Sequence, residues 1–117
     1  MNRIRFAVAA IAAASALVVA GPASAATRLV ATVGPGFTIS LTMGGRKVTS
    51  LKAGTYTVTV RDKSNIHDFH LKGPGVSKAT AIAFVGTKTW TISLRKGRYS
   101  YVCDPHAANM NGAFTVR

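Results

Sequence analysis

The sequence predicts a single-domain all-β sandwich, and three observations carry that prediction. Turn residues recur at short intervals, as Gly34-Pro35-Gly36, Gly44-Gly45, Gly54, Gly73-Pro74-Gly75, Gly86, Gly97 and Asn111-Gly112. Between them lie short runs rich in Thr, Val, Ile, Tyr and Phe, residue types that fit a pleated, half-buried surface. Several runs alternate apolar and polar residues, the period that turns one face of a strand inward. Past residue 25 there is no helical pattern, internal repeat or linker.

The first element is a signal for export. Arg3 and Arg5 precede an apolar run from Phe6 to Ala20, Gly21-Pro22 breaks it, and Ala23-Ser24-Ala25 supplies a small-x-small cleavage pattern. This is the layout of a secretory signal peptide over residues 1–25. The run is too short and too alanine-rich for a transmembrane anchor, which needs about 20 apolar residues. No cysteine follows it to carry a lipid. Cleavage after Ala25 leaves residues 26–117, periplasmic or secreted, a length that suits a two-layer sandwich around one core.

The strands come next. Thr55–Val60 alternates cleanly, with Tyr56, Val58 and Val60 on one face, and Thr89–Leu94 does the same with Trp90, Ile92 and Leu94. Phe37–Leu41 and Ala113–Val116 are equally plain, and Arg28–Val33, Ile66–Lys72 and Arg98–Cys103 complete the set. In Ile66–Lys72 the phase turns His67, Phe69 and Leu71 inward and Asp68 and His70 outward. Cys103 is in phase with Tyr99 and Tyr101, and the following loop returns through Asn111-Gly112 into a strand that turns Phe114 and Val116 inward.

Charge limits the partners. The chain has 15 Lys and Arg against three acids, Asp62, Asp68 and Asp104, for a formal charge of +12. Loss of Arg3 and Arg5 with the signal lowers this to +10. Such a balance favours partners with an anionic docking surface. The cations are scattered, as on a solvated face, and no stripe of aromatic and basic residues points to nucleic acid.

Cys103 is the lone cysteine of an exported chain, where an unpaired thiol is open to oxidation unless something occupies it. It opens Cys103-Asp-Pro-His106-Ala-Ala-Asn-Met110, a loop carrying a thiol, an imidazole and a thioether. With His67 upstream these make two His, one Cys and a weak axial Met, the donor set of a blue-copper electron-transfer site. Pro105 fixes φ between Cys103 and His106. His70, out of phase with His67, reads as a surface histidine, and Met43 as packing at a turn edge. Other chemistries fit poorly: there are no paired carboxylates, no phosphate-cradling loop and no zinc-type cysteine pairs, so no enzymatic reaction is expected.

These motifs, Ser64-x-x-His67-x-Phe69-x-Leu71, Tyr101-x-Cys103-x-Pro105-His106-Ala107 and Met110-x-Gly112-x-Phe114-x-Val116, resemble those of the cupredoxin family, in its small bacterial plastocyanin- and amicyanin-like members. The resemblance spans the whole mature domain. It implies a Greek-key β-sandwich, one copper ion cycling between Cu(I) and Cu(II), and one-electron shuttling by a monomer between larger redox partners. His67, Cys103, His106 and Met110 fall on the family's ligand positions. Asp68 stands where many relatives carry an Asn that ties the two ligand loops together. Two other functions are open to the same residues: copper storage or delivery with the same ligands, and, without metal, binding of anionic cell-surface polymers by a basic sandwich.

Overall fold

A computed structural model describes residues 25–117, in which ten strands form two five-stranded mixed sheets. The expected signal peptide lies, apart from Ala25, outside the described residues. One sheet runs β3-β2-β1-β5-β8, with β1 Thr27–Val33, β2 Ile39–Met43, β3 Arg46–Lys47, β5 Gly54–Asp62 and β8 Gly86–Leu94. The other runs β4-β10-β9-β6-β7, with β4 Ser50–Leu51, β6 His70–Gly73, β7 Val76–Ala79, β9 Gly97–Val102 and β10 Asn111–Val116. β1 runs parallel to β5 and β4 parallel to β10, so chain-distant strands close each sheet.

One apolar core lies between the sheets. Leu29, Ala31, Val33, Val58 and Val60 from the first are fully buried with Leu71, Tyr99, Tyr101 and Phe114 from the second. The alternation expected of β5 holds, since Tyr56, Val58 and Val60 are all buried. In β8 it holds for Ile92 and Leu94, while Trp90 is only partly buried and tilts against Phe69 at 6.3 Å.

Several strands differ from the sequence reading. β5 and β8 are both longer than expected, because they pair with each other over their full length from Gly54↔Leu94 to Asp62↔Gly86. The short β3, β4 and β7 carry too few residues to show a period. β2 begins two residues late, which leaves Phe37 outside the sheet and 58% exposed. β10 begins at Asn111, so Asn111-Gly112 is strand; the reversal comes earlier, through a 3₁₀ turn at Asp104–His106.

The most consequential difference concerns residues 66–69, which are not strand. The chain turns at Asn65-Ile66 and runs extended to β6. There the Phe69 N–H donates to the Thr80 hydroxyl at 3.0 Å and the Thr80 N–H to the Phe69 carbonyl at 3.2 Å. His67, Phe69 and Leu71 are buried as their phase requires, but so is Asp68. Off the ladder the two-residue period no longer binds, and Asp68 turns inward to a backbone partner.

Candidate metal centre

Two chain segments meet at one end of the sandwich. His67 arrives on the extended segment between β5 and β6, and Cys103 follows the last residue of β9, side by side with it through the β6–β9 pairing. Hydrogen bonding of Cys103 N–H to the Met110 carbonyl at 3.0 Å continues the β9–β10 pairing by one residue. Inside this closure the His106 N–H donates to the Cys103 carbonyl at 3.0 Å and the Met110 N–H to the His106 carbonyl at 2.9 Å. The Asn111 side chain donates to the Ala107 carbonyl at 2.8 Å. Cys103, His106 and Met110 thus sit on a loop whose backbone is tied at every turn.

The donors converge. His67 Nδ1 lies 3.1 Å from His106 Nδ1, and Cys103 Sγ lies 3.6 Å and 3.5 Å from those two atoms. Atoms so spaced surround a point at bonding distance from all three, since nitrogen and thiolate donors sit about 2.0–2.3 Å from a first-row metal ion. Both rings present Nδ1, the nitrogen that must be unprotonated to ligate. His67, Cys103 and Met110 are wholly buried, whereas His106 is only partly so. Phe37 lies edge-on to both rings, at 5.3 Å from His67 and 4.9 Å from His106.

Burial pushes the Cys103 thiol up, against backbone N–H groups of Asp68 and His106 that pull it down. A soft metal reverses that balance, because binding favours the thiolate outright. Cys103 is therefore placed to serve as a thiolate only when a soft metal stabilises it.

Carboxylates frame the centre. Asp68 Oδ1 accepts the Asp104 N–H at 2.6 Å, linking the His67 segment to the Cys103 loop. Asp104 in turn meets His70 Nδ1 at 2.8 Å and has Lys72 Nζ at 3.9 Å, while His70 Nε2 lies 3.1 Å from the Ser77 hydroxyl. His70 is thus half-buried and held, not a free surface histidine. Burial and the neighbouring Asp104 carboxylate raise Asp68 above the ordinary carboxylate value; the hydrogen bond with Asp68, then His70 and Lys72, lowers Asp104.

Sequence reasoning missed two residues here. Phe37 stands in a run predicted as strand, but its ring meets both imidazoles edge-on. Asp62 ends β5 on the inward face and is 2% exposed. Its phase with Tyr56, Val58 and Val60 was the available signal, hidden because the strand was expected to end at Val60. With Asp62 electrostatically close to His67, all three acids of the chain lie around this one centre.

A fold of two mixed sheets with a His-Cys-His cluster at one end defines a small copper protein. The family model of copper-binding proteins of the plastocyanin/azurin family matches residues 37–117, and the chain belongs to that family. Its cofactor is one type-1 copper. Among solved structures, the chain is similar to a point mutant of rusticyanin at 27% identity and a TM-score of 0.58, over 77% of this chain and 76% of that one. Reduced rusticyanin matches at 27% identity and 0.56, over 77% and 78%. Rusticyanin from Thiobacillus ferrooxidans matches at 29% and 0.54, over 77% and 76%. No curated protein matches the sequence significantly. Members of the family are generally electron carriers rather than enzymes. Among the described residues no helix is long and apolar enough to cross a membrane.

Proposed function

We propose that this protein is an exported one-electron carrier in which His67, Cys103 and His106 would hold copper, with Met110 as a weaker fourth donor. The observation that carries this reading is the convergence of two imidazole nitrogens and one thiol sulfur within 3.6 Å, on a backbone already fixed by hydrogen bonds. Copper supplies the one-electron couple, with Cys103 as its strong soft donor. The chain's part is to keep the donors where they are in both oxidation states. A thiol and two rings held by packed strands and a tied loop have little freedom to rearrange, so little energy goes into reorganisation. Phe37, edge-on to both imidazoles, shields them in part from water, and the partly exposed His106 offers a route for an electron to the surface.

We read the protein as a monomer, because His67, Cys103 and His106 converge without needing a residue from a second copy. The excess of Lys and Arg supports redox partners that dock through an anionic surface, at a rate that falls as salt rises. The arginines and small-residue motif of residues 1–25 support export, and the secreted chain is expected to begin at Ala26 by intact mass.

Visible absorption and electron paramagnetic resonance of the copper-loaded protein test the centre. An intense visible band is expected, lost in Cys103→Ser while the far-ultraviolet circular dichroism of the sandwich persists. A band unchanged in Cys103→Ser would discard the site. Stoichiometric copper without rapid reduction by any redox protein would move the reading to copper storage or delivery.

A further inference from the structure

Asp62 is a carboxylate on the inward face of β5, in a chain with only two other acids. An ionised carboxylate in a core is costly unless its oxygens are satisfied. One oxygen is: Oδ1 accepts the Ser64 N–H at 3.0 Å, closing a turn just after the strand. The other, Oδ2, is buried with no hydrogen-bond partner among the described residues. The same is true of one further side-chain atom, Nε2 of His67.

These two orphans are of complementary kinds. His67 turns Nδ1 toward Cys103 and His106, so Nε2 lies on the far side of the ring. A neutral ring that ligates through Nδ1 carries its proton on Nε2 and needs an acceptor there. A free carboxylate oxygen is an acceptor in search of a proton.

Gly34 marks where they meet. A Cβ on Gly34 would lie 3.0 Å from Ser64 Cβ and 3.4 Å from His67 Cδ2, the ring carbon bonded to Nε2. The turn closed on Asp62 and the Nε2 edge of His67 therefore border the same small space, kept open by the missing side chain. Gly34 has a φ of 69°, a conformation that itself favours glycine. Asp62 and His67 are also close enough to influence one another electrostatically.

We propose that Asp62 is a positioning residue of the metal centre, its Oδ2 receiving the Nε2–H of His67 through one ordered water. The two atoms are not in direct hydrogen-bond contact, and a water between them gives both a partner in a polar niche. The bridge sets which nitrogen of His67 is free to ligate, fixes the ring's angle, and makes the ring a stronger donor. This rests on the reading of His67 as a ligand through Nδ1.

Asp62→Asn isolates the effect. The amide oxygen still accepts the Ser64 N–H, so the turn is kept, but a weaker neutral group faces the water. In the diamagnetic Cu(I) protein, nitrogen–proton magnetic resonance should find the His67 Nε2–H in slow exchange with solvent. In Asp62→Asn that exchange should quicken at least tenfold and copper affinity should fall, on the scale of about 10–100-fold seen for such outer partners. The reduction potential should rise, a tenfold loss of preference for Cu(II) reading as about 59 mV. An unchanged exchange rate and potential in a variant that keeps its visible band would overturn the inference and leave the copper site standing. Should the variant fail to fold, fast exchange of Nε2–H in the wild-type protein overturns it, and slow exchange with a cross-peak to bound water supports it. A wild-type protein with no visible band would overturn the ligand reading on which it rests.

Discussion

The buried carboxylate of Asp68 accepts the backbone N–H of Asp104 at 2.6 Å, so the neighbours of the two proposed ligands His67 and Cys103 are tied directly together. An Asn side chain offers the same acceptor without the charge. Asp68→Asn is therefore expected to fold and keep its colour, while losing a negative charge that favours Cu(II) over Cu(I). Voltammetry near neutral pH should show the potential rise by tens of millivolts, where about 59 mV is a tenfold change. Because Asp68 is buried, salt should hardly alter the shift. Asp68→Ala removes the acceptor too and leaves the Asp104 N–H without this part-buried bond, which costs about 0.5–1.5 kcal/mol and should appear as a lowered unfolding midpoint. A potential that stays or falls in Asp68→Asn would show that its charge does not tune the copper.

Met110→Leu replaces a buried thioether by a hydrocarbon of similar volume, a change that cores tolerate at a cost below about 1.5 kcal/mol. Copper and colour should remain, since Cys103 and the two imidazoles are untouched. The potential should rise, because the weak thioether donor proposed at Met110 is gone. An unaltered potential would remove Met110 from the ligand set.

Phe37 is 58% exposed yet lies against both imidazole rings. Phe37→Ala should admit water to His106 and the copper, favouring the more charged oxidised state and lowering the potential. Thermal unfolding should move little, since the ring buries only part of its surface. The opposite pairing, a large stability loss with a fixed potential, would make Phe37 a packing residue alone.

Burial pushes the Asp62 carboxyl above its ordinary value of 3.8, outweighing the Ser64 N–H and the attraction of His67. Its contribution to the stability of the metal-free protein is full below that ordinary value. It is lost as pH rises through the folded value, because the unfolded chain releases the proton first. Urea unfolding of chelator-treated protein between about pH 3 and pH 6 should show this loss in the difference between wild type and Asp62→Asn, which has no such proton. A difference that stays level across that range would mean Asp62 ionises alike in both states.

Gly112 pairs with Tyr101 across β9 and β10, and a Cβ there would overlap the Tyr101 ring. Gly112→Ala must displace a fully packed aromatic beside Cys103, an overpacking that costs about 1–3 kcal/mol. The unfolding midpoint should drop accordingly, and a wild-type midpoint would show that the ring has room to move.

Much of the fold and the residues of the His67, Cys103 and His106 cluster were legible in the sequence, for definite reasons. Alternation placed Tyr56, Val58, Val60, Tyr99, Tyr101 and Cys103 inward because period two is a local property of a strand. The spacing Cys103-x2-His106-x3-Met110 is local as well, and three unusual donors within eight residues have few bland explanations. What pairing decides was not legible. The extension of β5 to Asp62 depends on its partner β8, and the loss of strand at 66–69 depends on the Thr80 side chain, 11 residues from Phe69. Without that contact the inward turn of Asp68 has no local signature.

By itself the sequence determined an all-β chain, an inward thiol and imidazole, and the soft donors that make copper the fitting metal, because these follow from residue types and short-range period. Only the tertiary structure decided that His67 Nδ1 faces Cys103 and His106, that Phe37 covers them, and that the chain's three acids gather around one centre. Those facts join residues up to 69 positions apart, from Phe37 to His106. Distance between such residues is set by how the sheets pack, and no local pattern along the chain encodes it.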